Sequence, residues 1–206
     1  MERIDLYAHG KEAALIELKR KSIHMIPGFL AYPILVFLGR TVGLWIAMLF
    51  FLLYLWNELY IKGFIPYEAP ITTKTYQIMA RKEEIEKRHF MGALYFWGFA
   101  ILIIYFLNPL EAVIAITIAS FGDAVAAIIG RYLHKPKIPW NPRKSIFGSL
   151  AMLIISVLIC TLLGLELKNG IFISSMATLA ESLPQPSVID EVTVPGILLL
   201  LFFFIV

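Results

Sequence analysis

An aspartate stands in the middle of the apolar stretch SFGDAVAAIIG, residues 120–130. A carboxylate alone in hydrocarbon is disfavoured by roughly 2.5–3.5 kcal/mol on insertion scales, so an ionisable residue at such a position is by default functional. Asp123 therefore needs a compensating cation, a helix N-terminus or a bound metal. Gly122, Ala126 and Gly130 recur every four residues beside it. Such a stripe of small residues lets a neighbouring helix approach closely and turns Asp123 toward the bundle interior. A hydrogen-bonded packing role is the plainer alternative for the same residue.

The following segment, RYLHKPKIPWNPRKSIFGS at 131–149, gathers Arg131, Lys135, Lys137, Arg143 and Lys144. Pro136, Pro139 and Pro142 exclude a helix there. Ser145 can cap the helix that follows, whose free backbone N–H groups favour an anion. Gly148 leaves room for a ligand to approach. Together these residues make a candidate phosphate seat, although the same charges could simply set membrane orientation. The arrangement is not a Walker A loop, because Gly130 lies far from Lys144 and no glycine precedes the lysine. In ELKRKSIHMIPG, Arg20 and His24 lie one helical turn apart with Lys21 adjacent. His24 alone reads as an interfacial residue; paired with Arg20 it could reach a phosphate or a hydroxyl. Pro27 and Gly28 are expected to kink or interrupt this helix. Ser174, Thr178 and Glu181 form an inward polar stripe, whose hydroxyls could equally bond between helices. The segment LPQPSVIDE at 183–191 carries Asp190 and Glu191 and no base. Its carboxylates suit a metal–nucleotide site, or a solvated turn.

The elements that must position these groups are membrane helices. Hydrophobic residues make up 59% of the 206 and charged residues only 16%, against about 25% charged in soluble domains. Apolar segments fall at approximately 23–39, 42–60, 91–107, 110–130, 146–165, 170–182 and 192–206. The last two are short and could be re-entrant. The fold class is all-α: a polytopic transmembrane bundle of about seven segments, with a range of six to eight, forming one integral membrane domain over 1–206. Lys and Arg cluster before the first segment, in the loop at 61–90 and in 131–144, alternating with nearly neutral turns. The positive-inside rule then places the N-terminus in the cytoplasm. This pattern accounts for the net charge of +3 without nucleic acid. The stretch TYQIMARKEEIEKRHF predicts one amphipathic helix lying on the membrane surface through Ile78, Met79 and Ile85. Cys160, the single cysteine, excludes a disulfide framework. No cleavable signal is evident, so the first segment is expected to be retained. Nothing in the sequence sets an oligomeric state.

Five pieces, RKSIHMIPG at 20–28, EKRHFMGALYF at 86–96, FGDAVAAIIGR at 121–131, PRKSIFGS at 142–149, and TLAESLP through DEVTVP at 178–195, occur in an order that resembles the CTP-dependent lipid-alcohol kinases. That group comprises phytol and farnesol kinases, dolichol kinase and the CTP-using diacylglycerol kinase, within the CDP-diacylglycerol synthase-like superfamily. The resemblance implies transfer of the γ-phosphoryl group of CTP to a membrane alcohol, with a divalent cation, usually Mg²⁺. It also implies an integral multi-pass protein of the plasma membrane in a prokaryote, or of the endoplasmic reticulum or plastid in a eukaryote. Where the phytol-kinase branch is expected to have Asp-Asn, this chain has Asp190-Glu191. Nothing here resembles the cytidylyltransferase signature, which argues against synthesis of a CDP-lipid. A transporter with Asp123 and Glu181 in an ion path leaves the basic cluster unexplained.

Phosphoryl transfer needs positioning and charge neutralisation above all. Asp123 is expected to bind Mg²⁺ or accept the alcohol proton, with Glu181 and Asp190 assisting at the metal and His24 as reserve base. Arg20, Lys21, Lys144 and the Ser145 helix start, with Gly148, would hold the triphosphate. Arg131, Lys135, Lys137 and Arg143 would add positive field.

Overall fold

Every apolar segment of the sequence is helical in the computed structural model, which describes residues 2–80, 82–185 and 190–205. Helix α1 runs Glu2–Tyr32 and passes into a π-helical segment, Pro33–Leu38. Gly39, at φ 88°, adopts the left-handed conformation that turns the chain sharply into α2, Arg40–Ile61. Two short helices follow, α3 (Thr72–Met79) and α4 (Lys82–Glu86), before α5, Met91–Phe106. An Asn108–Glu111 capping box starts α6, Pro109–Thr117: Asn108 Oδ1 accepts from the Leu110 and Glu111 amides, and the Glu111 carboxylate accepts from the Asn108 amide. The same rod continues as a π turn, Ile118–Gly122, and then α7, Asp123–Tyr132. Beyond it come β1 (Lys137–Ile138), β2 (Asn141–Ser145), α8 (Ile146–Leu162), α9 (Leu167–Ser182) and α10 (Asp190–Phe204).

Three of these rods, Glu17–Leu38, Arg40–Ile61 and Pro109–Tyr132, are long and apolar enough to cross a membrane. The most apolar stretch of the third is 61% buried, against 28% in each of the other two, which identifies it as the central rod. Val113, Ala115 and Ile118 within it are fully enclosed. From α1 the packing passes through α7, the second half of this rod, to α8, α9, α10, α5 and α2, each against the next, while α6 touches α1, α5, α8 and α10. The ring stays open between α1 and α2, which meet chiefly through the π segment at their junction. Outward faces carry large exposed apolar side chains such as Phe29, Trp45, Leu52, Ile154, Leu162 and Phe204. A soluble monomer rarely exposes so much contiguous apolar surface.

Several expectations change. The fold is not purely helical, since β1 and β2 form a small antiparallel hairpin across the 131–149 segment. Its prolines removed helical hydrogen bonding but left room for two extended stretches. Pro27 does not interrupt α1, which continues to Tyr32. Gly28 lies flush against the central rod, where an added Cβ would stand 2.7 Å from Phe121 Cδ2. The amphipathic helix of the 61–90 loop is broken at Ala80, which is extended at ψ 137°. Buried Thr72 and Thr73 fasten α3 to α2: Thr72 donates to the Leu53 carbonyl and Thr73 bonds Asn57, while Ile78 and Ile85 are exposed.

The small-residue stripe of α7 meets α8. An added Cβ at Gly122 would reach Ser156 and Met152, and one at Gly148 would stand 2.7 Å from the Ala126 carbonyl oxygen and 3.1 Å from Gly130 Cα. The space beside Gly148 is thus filled by α7 and not by a ligand. Because backbone cannot retreat as a side-chain tip can, Gly148→Val should destabilise the protein by about 1–3 kcal/mol, the usual range for overpacking. Thermal unfolding in detergent would show a lowered Tm; a Tm equal to wild type would mean that the helices separate freely.

Candidate active site

On α1, Glu17, Arg20, Lys21 and His24 follow at i, i+3, i+4 and i+7, the spacing that puts residues on one helix face. That face turns inward: Glu17, Lys21 and His24 are buried, and Arg20 is half-buried and pairs with Glu17. Lys21, only 2% exposed, extends its ammonium to the Asp123 carboxylate and lies 3.6 Å from Glu191 Oε1. His24 Nε2 lies 3.4 Å from Asp123 Oδ2 and 3.6 Å from Glu191 Oε2, its ring tilted against Phe96 at a centroid distance of 5.1 Å. Glu191 enters from the start of α10 over Gly92 of α5, where an added Cβ would be 3.1 Å from Glu191 Cγ. Donor atoms of His24, Asp123 and Glu191 all lie within 4.8 Å of one another. Two anions, one buried ammonium and one imidazole thus converge from α1, α7 and α10.

The β hairpin borders this centre. Asn141 donates to the Ser182 and Leu183 carbonyls at 3.1 and 3.0 Å, and the Trp140 indole N–H donates to Ser182 Oγ at 3.3 Å. These bonds fasten β2 to the end of α9. Lys144 then reaches the Glu181 carboxylate at 2.8 Å and also donates to the Glu181 carbonyl. Ser145 caps α8 by accepting from the Gly148 amide at 3.1 Å, and the Ile146 amide donates to the Pro136 carbonyl at 3.0 Å. Two first-turn donors of α8 are therefore already engaged.

From the polar centre an apolar groove of about 240 Å³ runs along the gap between α1 and α2, floored by α5. Arg20, His24, Glu84 and Glu191 stand at its head. Farther along, Phe50 stacks on Trp97 at 4.7 Å and tightens the α2–α5 wall. The deep end is lined by Leu35, Gly43, Ala47, Ala100, Ile104 and Ile116.

The structure brings Lys21, His24 and Asp123 together, with Arg20 on the same face and Lys144 at the margin. Glu181 meets Lys144 and lies outside the His24–Asp123–Glu191 group. Arg131, Lys135, Lys137 and Arg143 are exposed around the hairpin. Asp190 opens α10, and its side chain lies outside the described residues. One member escaped the sequence reading: Glu17, which carried a usable signal in its i, i+3, i+4, i+7 spacing with Arg20, Lys21 and His24. Glu191 was legible as one of two carboxylates suited to a metal–nucleotide site, but the metal role was expected of its neighbour Asp190.

These features define a helical bundle, with rods apt for a membrane, that holds a charged centre at the head of an apolar groove. The chain is similar to plant phytol kinases. It is 30% identical to Phytol kinase 1, chloroplastic, of Arabidopsis thaliana over 86% of its own length and 63% of that protein. It is 34% identical to Probable phytol kinase 1, chloroplastic, of Glycine max over 55% of its length and 43% of that protein. A Triticum aestivum protein named Probable phytol kinase, chloroplastic, is 26% identical over 91% of this chain and 67% of its own. The chain thus spans less than two thirds of the first two of these relatives. No family model and no solved structure matches it.

Removing one partner of a buried ion pair costs about 3–5 kcal/mol, because the other charge is left without compensation. Lys21→Met should therefore destabilise more than Asp123→Asn, since Lys21 keeps Glu191 at 3.6 Å. The double variant should lose less than the sum of the two. A double-mutant cycle of unfolding in detergent reads this coupling, and strict additivity would show that the pair does not interact.

Proposed function

We propose that this protein phosphorylates a membrane-dissolved lipid alcohol at the expense of CTP. The observation that carries the reading is the junction of an apolar groove with the Lys21–Asp123–His24–Glu191 centre. An amphiphile lying along the groove presents its polar end to His24 and Glu191. The plant relatives, named as phytol kinases, support an alcohol as that amphiphile.

In the proposed reaction the alcohol oxygen bonds to the γ-phosphorus while the bond from that phosphorus to the β-bridging oxygen breaks. CDP leaves, and the hydroxyl proton passes to His24 Nε2 or to a neighbouring carboxylate. His24 is suited to this because Nε2 is buried, faces two carboxylates that stabilise an imidazolium, and stands at the head of the groove. Lys21 and Arg20 would neutralise transferring oxygens. Lys144 and the exposed Arg131, Lys135, Lys137 and Arg143 would receive the remaining phosphates, with the Ser145 cap and Gly148 holding the α8 start beside them.

The donor set fits Mg²⁺ in part. Carboxylate oxygens of Asp123 and Glu191 suit a hard cation, whereas an imidazole nitrogen does not. Asp123 and Glu191 would hold the ion, with Asp190 adjacent in sequence, and Glu181 would act through Lys144. When bound, the ion would screen the charge of the phosphates. We place the seven helical segments across the membrane with the N-terminus and the basic loops on the cytoplasmic side, as the positive-inside pattern indicates.

Purified protein given CTP labelled at the γ-position should transfer label to a prenyl alcohol and release CDP, whereas label at the α-position should stay with the nucleotide. Transfer of α-label to lipid with release of pyrophosphate would instead identify a cytidylyltransferase. Asp123→Asn keeps shape and removes charge, so turnover should fall by about 10³-fold or more, as for loss of a principal electrostatic group, while the protein stays folded. Near-normal turnover would remove Asp123 from the mechanism.

A further inference from the structure

The groove ends at residues that the chemistry does not require. Leu35 is turned inward within the π-helical segment and is 3% exposed. It sits on Gly43 of α2, where an added Cβ would lie 2.3 Å from Leu35 Cδ2 and would push the leucine tip aside. Just before this stop, Ala31, Ala47 and Ala100 bring small side chains from three helices. All three are at most 5% exposed. The floor is completed by Ile104 and Ile116. Eleven positions along α1 and the π segment separate His24 from Leu35, about 16 Å at the α-helical rise. With a volume of about 240 Å³, the groove falls below the usual range of roughly 300–1,000 Å³ for small-molecule pockets. That volume suits one hydrocarbon chain better than two. Small residues line it ahead of a branched one at its end, which is the arrangement of a gauge.

Resting on the reading above, we propose that Leu35, seated on Gly43, is a stop that sets acceptor length, so the site takes a single-chain lipid alcohol of limited length and rejects a two-chain glyceride. The π geometry belongs to this device: such turns frequently mark functional positions within helices, and here the segment carries Leu35 into the gap between α1 and α2. Ala47 and Ala100 fix the width of the last chamber.

The test uses the full chain in detergent with radiolabelled prenyl alcohols of increasing length, geraniol, farnesol, geranylgeraniol and solanesol, together with diolein. Two quantities are read for each: label retained by the protein, and label phosphorylated from CTP. Leu35→Ala should shift the preferred length upward, improving the first alcohol that wild type rejects by about tenfold or more, the scale on which apolar pockets discriminate. Ala100→Leu should shift it downward by a similar factor and leave geraniol unaffected. Retention reports the stop without turnover, so length-selective retention with no phosphate transfer would overturn the proposed reaction and leave the stop supported. An unchanged length preference in both variants would overturn the stop, as would diolein held as well as the best prenyl alcohol. If the Leu35→Ala cavity prevents folding, Ala100→Leu and Ala47→Leu decide the matter by the same shift.

Discussion

The contact between Lys21 and Asp123 organises this molecule. Each charge lies in a rod long and apolar enough for a membrane, where an ionised group needs a partner. The attraction joins α1 to its packing neighbour α7, and Glu191 draws the start of α10 to the same point. Hydrocarbon offers no hydrophobic force to assemble helices, so close packing of small residues and polar contacts must do it. Here the stripe at Gly122, Ala126 and Gly130 supplies the first and the charged centre supplies the second. Two carboxylates, a buried ammonium and an imidazole meet there among the described residues, a donor set that can receive a cation or a proton.

Chemistry and substrate solubility are divided along the groove. Its head is polar, bordered by a basic hairpin pinned to α9 by Asn141 and Trp140. Its body is apolar and lies in the opening between α1 and α2. A ligand dissolved in lipid would approach sideways through that opening, while a water-soluble one would arrive over the hairpin. The two routes converge at His24 and Glu191 without crossing, which fits a reaction that joins molecules from two phases.

Much of this was legible in the residues. The seven apolar runs, the inward turn of Asp123 and the Ser145 cap all follow from local pattern: run length, four-residue spacing of small side chains, and a hydroxyl before a helix. What the sequence hid was pairing at a distance. Lys21 sits among five bases near the N-terminus, and nothing local says that it, rather than Arg20, reaches Asp123 over more than a hundred residues. Glu191 read as part of an acidic turn because its neighbours dominate its context. Leu35 was invisible, being one apolar residue in an apolar run. The continuity of the helix in the 61–90 loop was misread for a different reason: buried threonine hydroxyls on α3 found partners on α2, and the chain turns extended at Ala80.

The π turn at Ile118–Gly122 stands directly before Asp123. Such a turn amounts to one extra residue within an otherwise continuous rod, and each residue of α-helix advances the azimuth by about 100°. Shortening this turn by one position would swing Asp123, and Arg131 two turns later, about a quarter revolution around the rod. The carboxylate would leave Lys21 while the residues of α6 stayed seated in the core. Orientation of the reactive half of this rod is thus uncoupled from anchoring of the other half, and a single codon separates a chain with a charged centre from one without it.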